Sequence, residues 1–156
     1  MIDSSIFLEA YDETPFAGDC KVLIEGAKKK VYFGNVSTII LGEITKKLLK
    51  LKKEASENEK YRYEDIYNNL MKDLLNFKIR YICEGTLEKH KELDIRGADK
   101  SHDKLNLACA IHNKCNIFVL KDNKFTYHKK GFTEVIHITE KENEKLKNLL
   151  NEIKSR

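Results

Sequence analysis

The stretch Ser101-His-Asp-Lys-Leu-Asn-Leu-Ala-Cys-Ala-Ile-His-Asn-Lys114, running on through Asn116-Ile-Phe-Val-Leu120 to Lys121-Asp-Asn-Lys124, decides the fold. Leu105, Ala108 and Ile111 recur at helical spacing, which predicts a helix over 101–114 with those three inward. Residues 116–120 form a continuous apolar run that reads as a strand, and 121–124 read as its turn. A helix feeding a buried strand is the repeating unit of an α/β domain with a mainly parallel sheet. In such sheets ligands bind at the carboxyl ends of the strands. The acids at strand ends and in the helices that follow therefore matter most.

The same alternation continues outward. Residues 1–3 open as a short strand, Ser4 or Ser5 caps a helical turn carrying Ile6, Phe7 and Leu8, and Asp12 to Pro15 break the chain. A helix over 16–25 and a β-rich piece at Val31 to Phe33 follow. Ser37 is the N-cap of a long helix with Ile40, Ile44, Leu48 and Leu51 on one stripe. Residues 55–60 read as a turn. Tyr63, Ile66, Tyr67, Leu70, Leu74 and Phe77 then mark a second long helix. Residues 79–83 read as a strand, 86–93 as a short helix, and 125–128 and 134–138 as strands. Thr139 and Glu142 form a capping box for a last helix carrying Leu146, Leu149, Leu150 and Ile153. Residues 1–140 are expected to form the domain, with 141–156 a C-terminal helix packed on it.

With 156 residues, 41% hydrophobic and 35% charged, the chain suits one folded domain with a heavily solvated surface. No apolar run reaches the length of about 20 residues that a membrane span needs, and the opening Met1-Ile2-Asp3 lacks a signal pattern. A cytoplasmic, membrane-free protein is expected. Cys20, Cys83, Cys109 and Cys115 include no Cys-x-x-Cys pair and read as buried free thiols rather than zinc ligands. The net charge of +4 is carried almost entirely by lysine. Runs such as Lys28-Lys29-Lys30, Lys46-Lys47, Lys52-Lys53 and Lys129-Lys130 suit either a solvated surface or a phosphate backbone.

Four carboxylates stand in otherwise apolar settings: Asp3, Glu43, Asp103 and Asp122. An ionised carboxylate near a core costs several kcal/mol unless it is paired or binds a metal. Converging carboxylates repel one another, and a hard divalent cation such as Mg²⁺ or Mn²⁺ resolves that repulsion with oxygen ligands. Each acid also has an ordinary role open to it. Asp3 can cap the next helical turn, and Glu43 can lie on a helix surface beside Lys46 and Lys47. Asp103 suits a first helical turn, and Asp122 suits a turn.

The words around these acids resemble the PIN domain, the nuclease fold of VapC-type toxins. Asp3-Ser-Ser-Ile-Phe-Leu8 is similar to the family's opening Asp-[Thr/Ser]-[Asn/Ser] motif, and Ser37-Thr-Ile-Ile-Leu-Gly-Glu43 to its Ser/Thr-apolar run ending in Glu. Asp103-Lys-Leu-Asn-Leu-Ala-Cys-Ala-Ile111 is similar to its Asp-Ala-x-His-Leu-Ala-x-Ala helix, and Phe118-Val-Leu-Lys-Asp122-Asn-Lys-Phe125 to its Thr-x-Asp-x-x-Phe ending. The resemblance covers about residues 1–140. Leu120 stands in place of the usual Thr or Ser, Asn106 in place of a common His, and Lys124 in place of a frequent Asp.

The resemblance implies a three-layer α/β/α fold with a mainly parallel central sheet. It implies a metal-dependent endoribonuclease that hydrolyses RNA phosphodiester bonds. Asp3, Glu43, Asp103 and Asp122 would be catalytic and would hold Mg²⁺ or Mn²⁺. From spacing alone Asp99, four residues before Asp103, shares a helix face with it as an auxiliary ligand if the helix starts early, whereas Ser101 as N-cap leaves it in the loop. Lys104 and Lys121 would contact the RNA backbone. A VapC-type protein is also expected to be a homodimer paired with a small antitoxin. Three alternatives stay open: an RNA-processing nuclease of the same fold, a PIN-fold binding module with weak or no catalysis, and a plain α/β domain whose four acids are all surface or cap residues. His102 neighbours Asp103, but adjacent helical residues do not share a face, so it reads as a surface or packing residue.

Overall fold

The computed structural model describes residues 1–93, 101–121, 133–139 and 144–156. Among them the chain runs α1 (Ser4–Glu9), α2 (Ala17–Lys28), β1 (Asn35–Ser37), α3 (Thr38–Glu54), α4 (Glu57–Leu74), β2 (Lys78–Arg80), α5 (Glu84–Glu92), α6 (Ser101–His112), β3 (Ile117–Leu120), β4 (Glu134–His137) and α7 (Glu144–Ser155). Both strand pairs, β1 with β2 and β3 with β4, are parallel. The N-terminal residues stitch the pairs together. Ile2 bridges Val119 in parallel, Asp3 N donates to Val119 O at 2.9 Å, and Ile2 N donates to Asn35 O at 3.0 Å. The spatial order is therefore β2, β1, residues 1–3, β3, β4. This is the expected α/β fold with parallel strands, but its strands are only three or four residues long and helix dominates.

Two of these extended segments become helix with no intervening loop. Asp3 (φ −77°, ψ 160°) ends the first and caps α1; Ser37 (φ −85°, ψ 161°) ends β1 and caps α3. Each side-chain oxygen takes an N–H that the helix cannot satisfy itself. Ile6, Phe7, Ile40, Ile44, Leu70, Leu107 and Phe118 fill the core, with the Phe7 and Phe77 rings edge-on at 5.1 Å. α7 lays Leu146, Leu150 and Ile153 into this core and packs on α2. The close approach needs Gly26, where a Cβ would stand 2.7 Å from Ile153 Cδ1.

Several local expectations are corrected. Asp3, not Ser4 or Ser5, caps α1. Residues 31–33 are not a strand. Lys30 takes φ 57° to end α2, and Val31 N bonds back to Gly26 O, so helix termination uses the backbone that β-propensity would have paired. Residues 55–60 are not a turn throughout, because the Ser56–Glu59 capping box starts α4 at Glu57. α2 runs on to Lys28, and β2 begins at Lys78 and ends at Arg80. On α6 the fully buried run is Asn106 to Ala110, with Leu105 and Ile111 only partly covered, since α5, α3 and β3 all pack against this helix. Cys83 is exposed, with its Sγ 3.3 Å from His112 Nε2; Cys20, Cys109 and Cys115 are buried free thiols. The strand expected at 125–128, most of the turn at 121–124 and the Glu142 half of the capping box lie outside the described residues.

Candidate metal centre

Asp3 is 6% exposed, at the carboxyl end of the central strand. Its Oδ2 accepts from Ser5 N at 2.9 Å and from Ser5 Oγ at 2.7 Å. The Ser5 hydroxyl also accepts from Lys121 N at 3.0 Å, so one side chain ties Asp3 to the end of β3. Asp3 Oδ1 is buried and has no hydrogen-bond partner among the described residues. Burial pushes the Asp3 carboxyl above the ordinary carboxylate range. The two Ser5 bonds oppose that push, and the neighbouring Glu43 charge adds to it.

Glu43 reaches the same place from α3. Its Oε2 accepts from Ser4 Oγ at 2.8 Å, and His102 Nδ1 of α6 stands 3.1 Å from its Oε1. Asp103 is half-buried in the first turn of α6, immediately after His102. Asp122 and Asp99 lie outside the described residues; Asp122 directly follows Lys121, which is bonded to Ser5. Among the described residues no three His, Cys, Asp or Glu side chains gather as a metal-ligand group. The structure thus brings Asp3 and Glu43 together, with Ser4, Ser5 and His102 around them. The serines flank Asp3 in the opening motif. His102 is the member that facewise reasoning missed, because that reasoning compared it with Asp103 rather than with Glu43 on the neighbouring helix.

The other motif positions are structural in character. Ser37 Oγ accepts from Ile40 N at 3.1 Å and donates to Asn106 Oδ1 at 2.6 Å, which leaves the buried Asn106 Nδ2 without a partner. Leu120 is in the core at 1% exposure, and the hydroxyl that touches Asp3 is that of Ser5. Lys121 Nζ is paired with the buried Glu9, which also accepts from Thr14 Oγ1. Lys104 lies near α5, where its charge adds to burial in holding the His90 pKa below the ordinary imidazole value.

The donor set fits a hard divalent cation. The buried Asp3 carboxylate feels the charge of the partly exposed Glu43, and one of its oxygens has no hydrogen-bond partner among the described residues. A cation accepted there would satisfy Asp3 Oδ1 and cancel the repulsion, and all-oxygen ligation suits Mg²⁺ or Mn²⁺ over softer metals. Comparisons with curated proteins and with solved structures find no match. A family model described as PIN domain matches residues 1–131, a span that takes in Asp3, Glu43, Asp103 and Asp122. With that much of its 156 residues matched, the chain belongs to the PIN domain family, whose nuclease-type fold generally works with divalent metal ions.

Proposed function

We propose that this protein is a metal-dependent endoribonuclease that hydrolyses RNA phosphodiester bonds. The carrying observation is the buried Asp3 carboxylate, with one oxygen unpartnered and Glu43 beside it, at the carboxyl end of a parallel sheet. Asp3, Glu43, Asp103 and Asp122 are the catalytic and metal-holding residues, with Asp99 auxiliary. Mg²⁺ or Mn²⁺ bound there would offset charge on the scissile phosphate and lower the pKa of an attacking water. Ser5 holds Asp3 in place, Ser4 and His102 hold Glu43, and burial keeps bulk water from screening the Asp3 carboxylate. Lys104 supplies charge toward the RNA backbone. Lys121 contributes there only in so far as Glu9 leaves its charge uncompensated. Residues 1–140 form the nuclease domain, and the C-terminal helix is packed on the same domain.

Within this reading the protein is the toxin of a VapBC-type pair, acts in the cytoplasm as a homodimer, and is silenced by a small antitoxin. Leu75, Ile79, Tyr81 and Leu87, exposed around the edge strand β2, support such protein contacts. The buried Leu120, in place of a hydroxyl, favours a second reading, a PIN-fold binding module with weak catalysis. Cleavage of an end-labelled single-stranded RNA with Mn²⁺, Mg²⁺ or EDTA separates the two, run beside Asp3→Asn and Asp103→Asn. Cleavage that requires metal and disappears in both variants is the expected result. A folded protein that neither cleaves nor is stabilised by metal would favour the binding module.

A further inference from the structure

At the opposite end of the sheet lies a cavity of about 820 Å³. Its floor is made of strand beginnings, including Asn35, Lys78 and Ile117, whereas the carboxylates sit where strands end. Among the described residues no Asp or Glu lines it, while Lys30, Lys78, Arg80 and Lys114 do. Lys30 and Lys114 come from the α2-to-β1 and α6-to-β3 connections, and Lys78 and Arg80 from β2.

The asparagines of the cavity are taken up by the fold. Asn76 and Asn113 return their amides to carbonyls of α4 and α6, and Asn35 holds Phe33 O and accepts from Arg80 Nε. The lysines are not so used: among the described residues Lys30, Lys78 and Lys114 have no carboxylate partner and are exposed. Lys30 and Lys114 are also, among the described residues, the two non-glycine residues with positive φ, 57° and 54°, at helix ends where glycine is the unstrained choice. A lysine near a helix C-terminus offsets the helix dipole, but that benefit is available at neighbouring positions without a left-handed backbone. Lys78, at the start of a strand, has no such role.

Phe33, on the rim, is 97% exposed. Its backbone is held in place: Asn35 Nδ2 clamps its carbonyl at 3.0 Å, and Gly34 is wedged against Phe77, where a Cβ would meet the ring at 2.5 Å. An exposed aromatic ring beside unpaired cations is the combination that binds single-stranded nucleic acid, the ring stacking a base and the lysines following the phosphates.

We propose that this cavity is a second, non-catalytic RNA-binding site, in which Lys30, Lys78 and Lys114 hold the phosphate backbone of a single strand and Phe33 stacks a base. The choice of RNA over another polyanion rests on the nuclease reading; the charge and the exposed ring do not. The test is fluorescence anisotropy of a labelled single-stranded RNA, with EDTA present to prevent cleavage. Lys30→Gly/Lys114→Gly removes both charges while relieving the backbone, so its Tm should stay level or rise. Its RNA affinity should fall at least tenfold, and the slope of log affinity against log salt should flatten by about 1.4 for two lost contacts. Phe33→Ala should weaken binding about tenfold with little change in salt slope. Unchanged affinity in the lysine and phenylalanine variants overturns the proposal, as does inorganic phosphate competing as well as RNA, which would mark a small-anion pocket. If those variants lose RNA but metal neither stabilises the wild type nor supports cleavage, the second site stands and the nuclease reading fails.

Discussion

Replacing Asp3 with Asn separates the two things this residue does, capping a helix and carrying a charge. As an N-cap, Asn is equivalent to Asp. Its carbonyl can keep both Ser5 hydrogen bonds, now 2.9 and 2.7 Å, and its NH₂ takes the place of the unpartnered Oδ1. An unsatisfied buried amide costs about 1–3 kcal/mol, whereas an uncompensated buried carboxylate costs several kcal/mol even after relaxation. Without metal at neutral pH, Asp3→Asn should therefore be more stable than wild type by about 1–2 kcal/mol, a Tm rise of about 2–8 °C for a chain of this size. Saturating Mn²⁺ should reverse the order. At a hundred times its Kd it stabilises the wild type by about 2.7 kcal/mol, and the variant gains little. Thermal melts of both proteins in EDTA and across a Mn²⁺ titration decide the matter. An Asn variant that melts below wild type in EDTA, or that gains as much from Mn²⁺, would refute the assignment of Asp3 as a buried metal ligand.

Three further outcomes follow from the same contacts. Because burial and Glu43 raise the Asp3 carboxyl in the folded state, its contribution to metal-free stability is fullest below the unfolded carboxyl range, about pH 4. It is lost as pH rises through the folded pKa, a slope that chemical denaturation should show in wild type and not in Asp3→Asn. Ser37→Ala removes the cap of α3 and the partner of the buried Asn106, and should cost about 2–4 kcal/mol in urea unfolding; Ser37→Thr should recover most of it. Lys121→Met strands the buried Glu9 and should cost about 3 kcal/mol, with Glu9→Gln added to it restoring much of the loss. A Lys121 serving RNA alone would show no stability effect.

The four carboxylates stood out in the sequence because each sits in an apolar phrase, and of them the structure brings Asp3 and Glu43 together while Asp122 lies outside the described residues. What each does locally was less legible. Ser56 and Glu59 form a capping box that composition alone presented as a polar turn. Val31 to Phe33 have strand propensity, yet the left-handed Lys30 commits their backbone to ending α2. Glu9 reads as an ordinary helix-surface acid, because nothing near it in sequence announces Lys121, 112 residues away.

The sequence by itself determined the alternation of helix and strand, the parallel sheet, and which acids merit attention. Hydrophobic period and capping residues are local properties, and they survive reading one residue at a time. Only the tertiary structure decided that Asp3 keeps an oxygen without a partner among the described residues, that Glu43 is an acid His102 meets, and that cations from two helix ends and from β2 share one cavity. Those facts depend on which distant segments a parallel sheet lays side by side. In such a sheet every strand beginning is carried to one pole and every strand end to the other, so charge scattered along the chain becomes an acidic pole and a basic one.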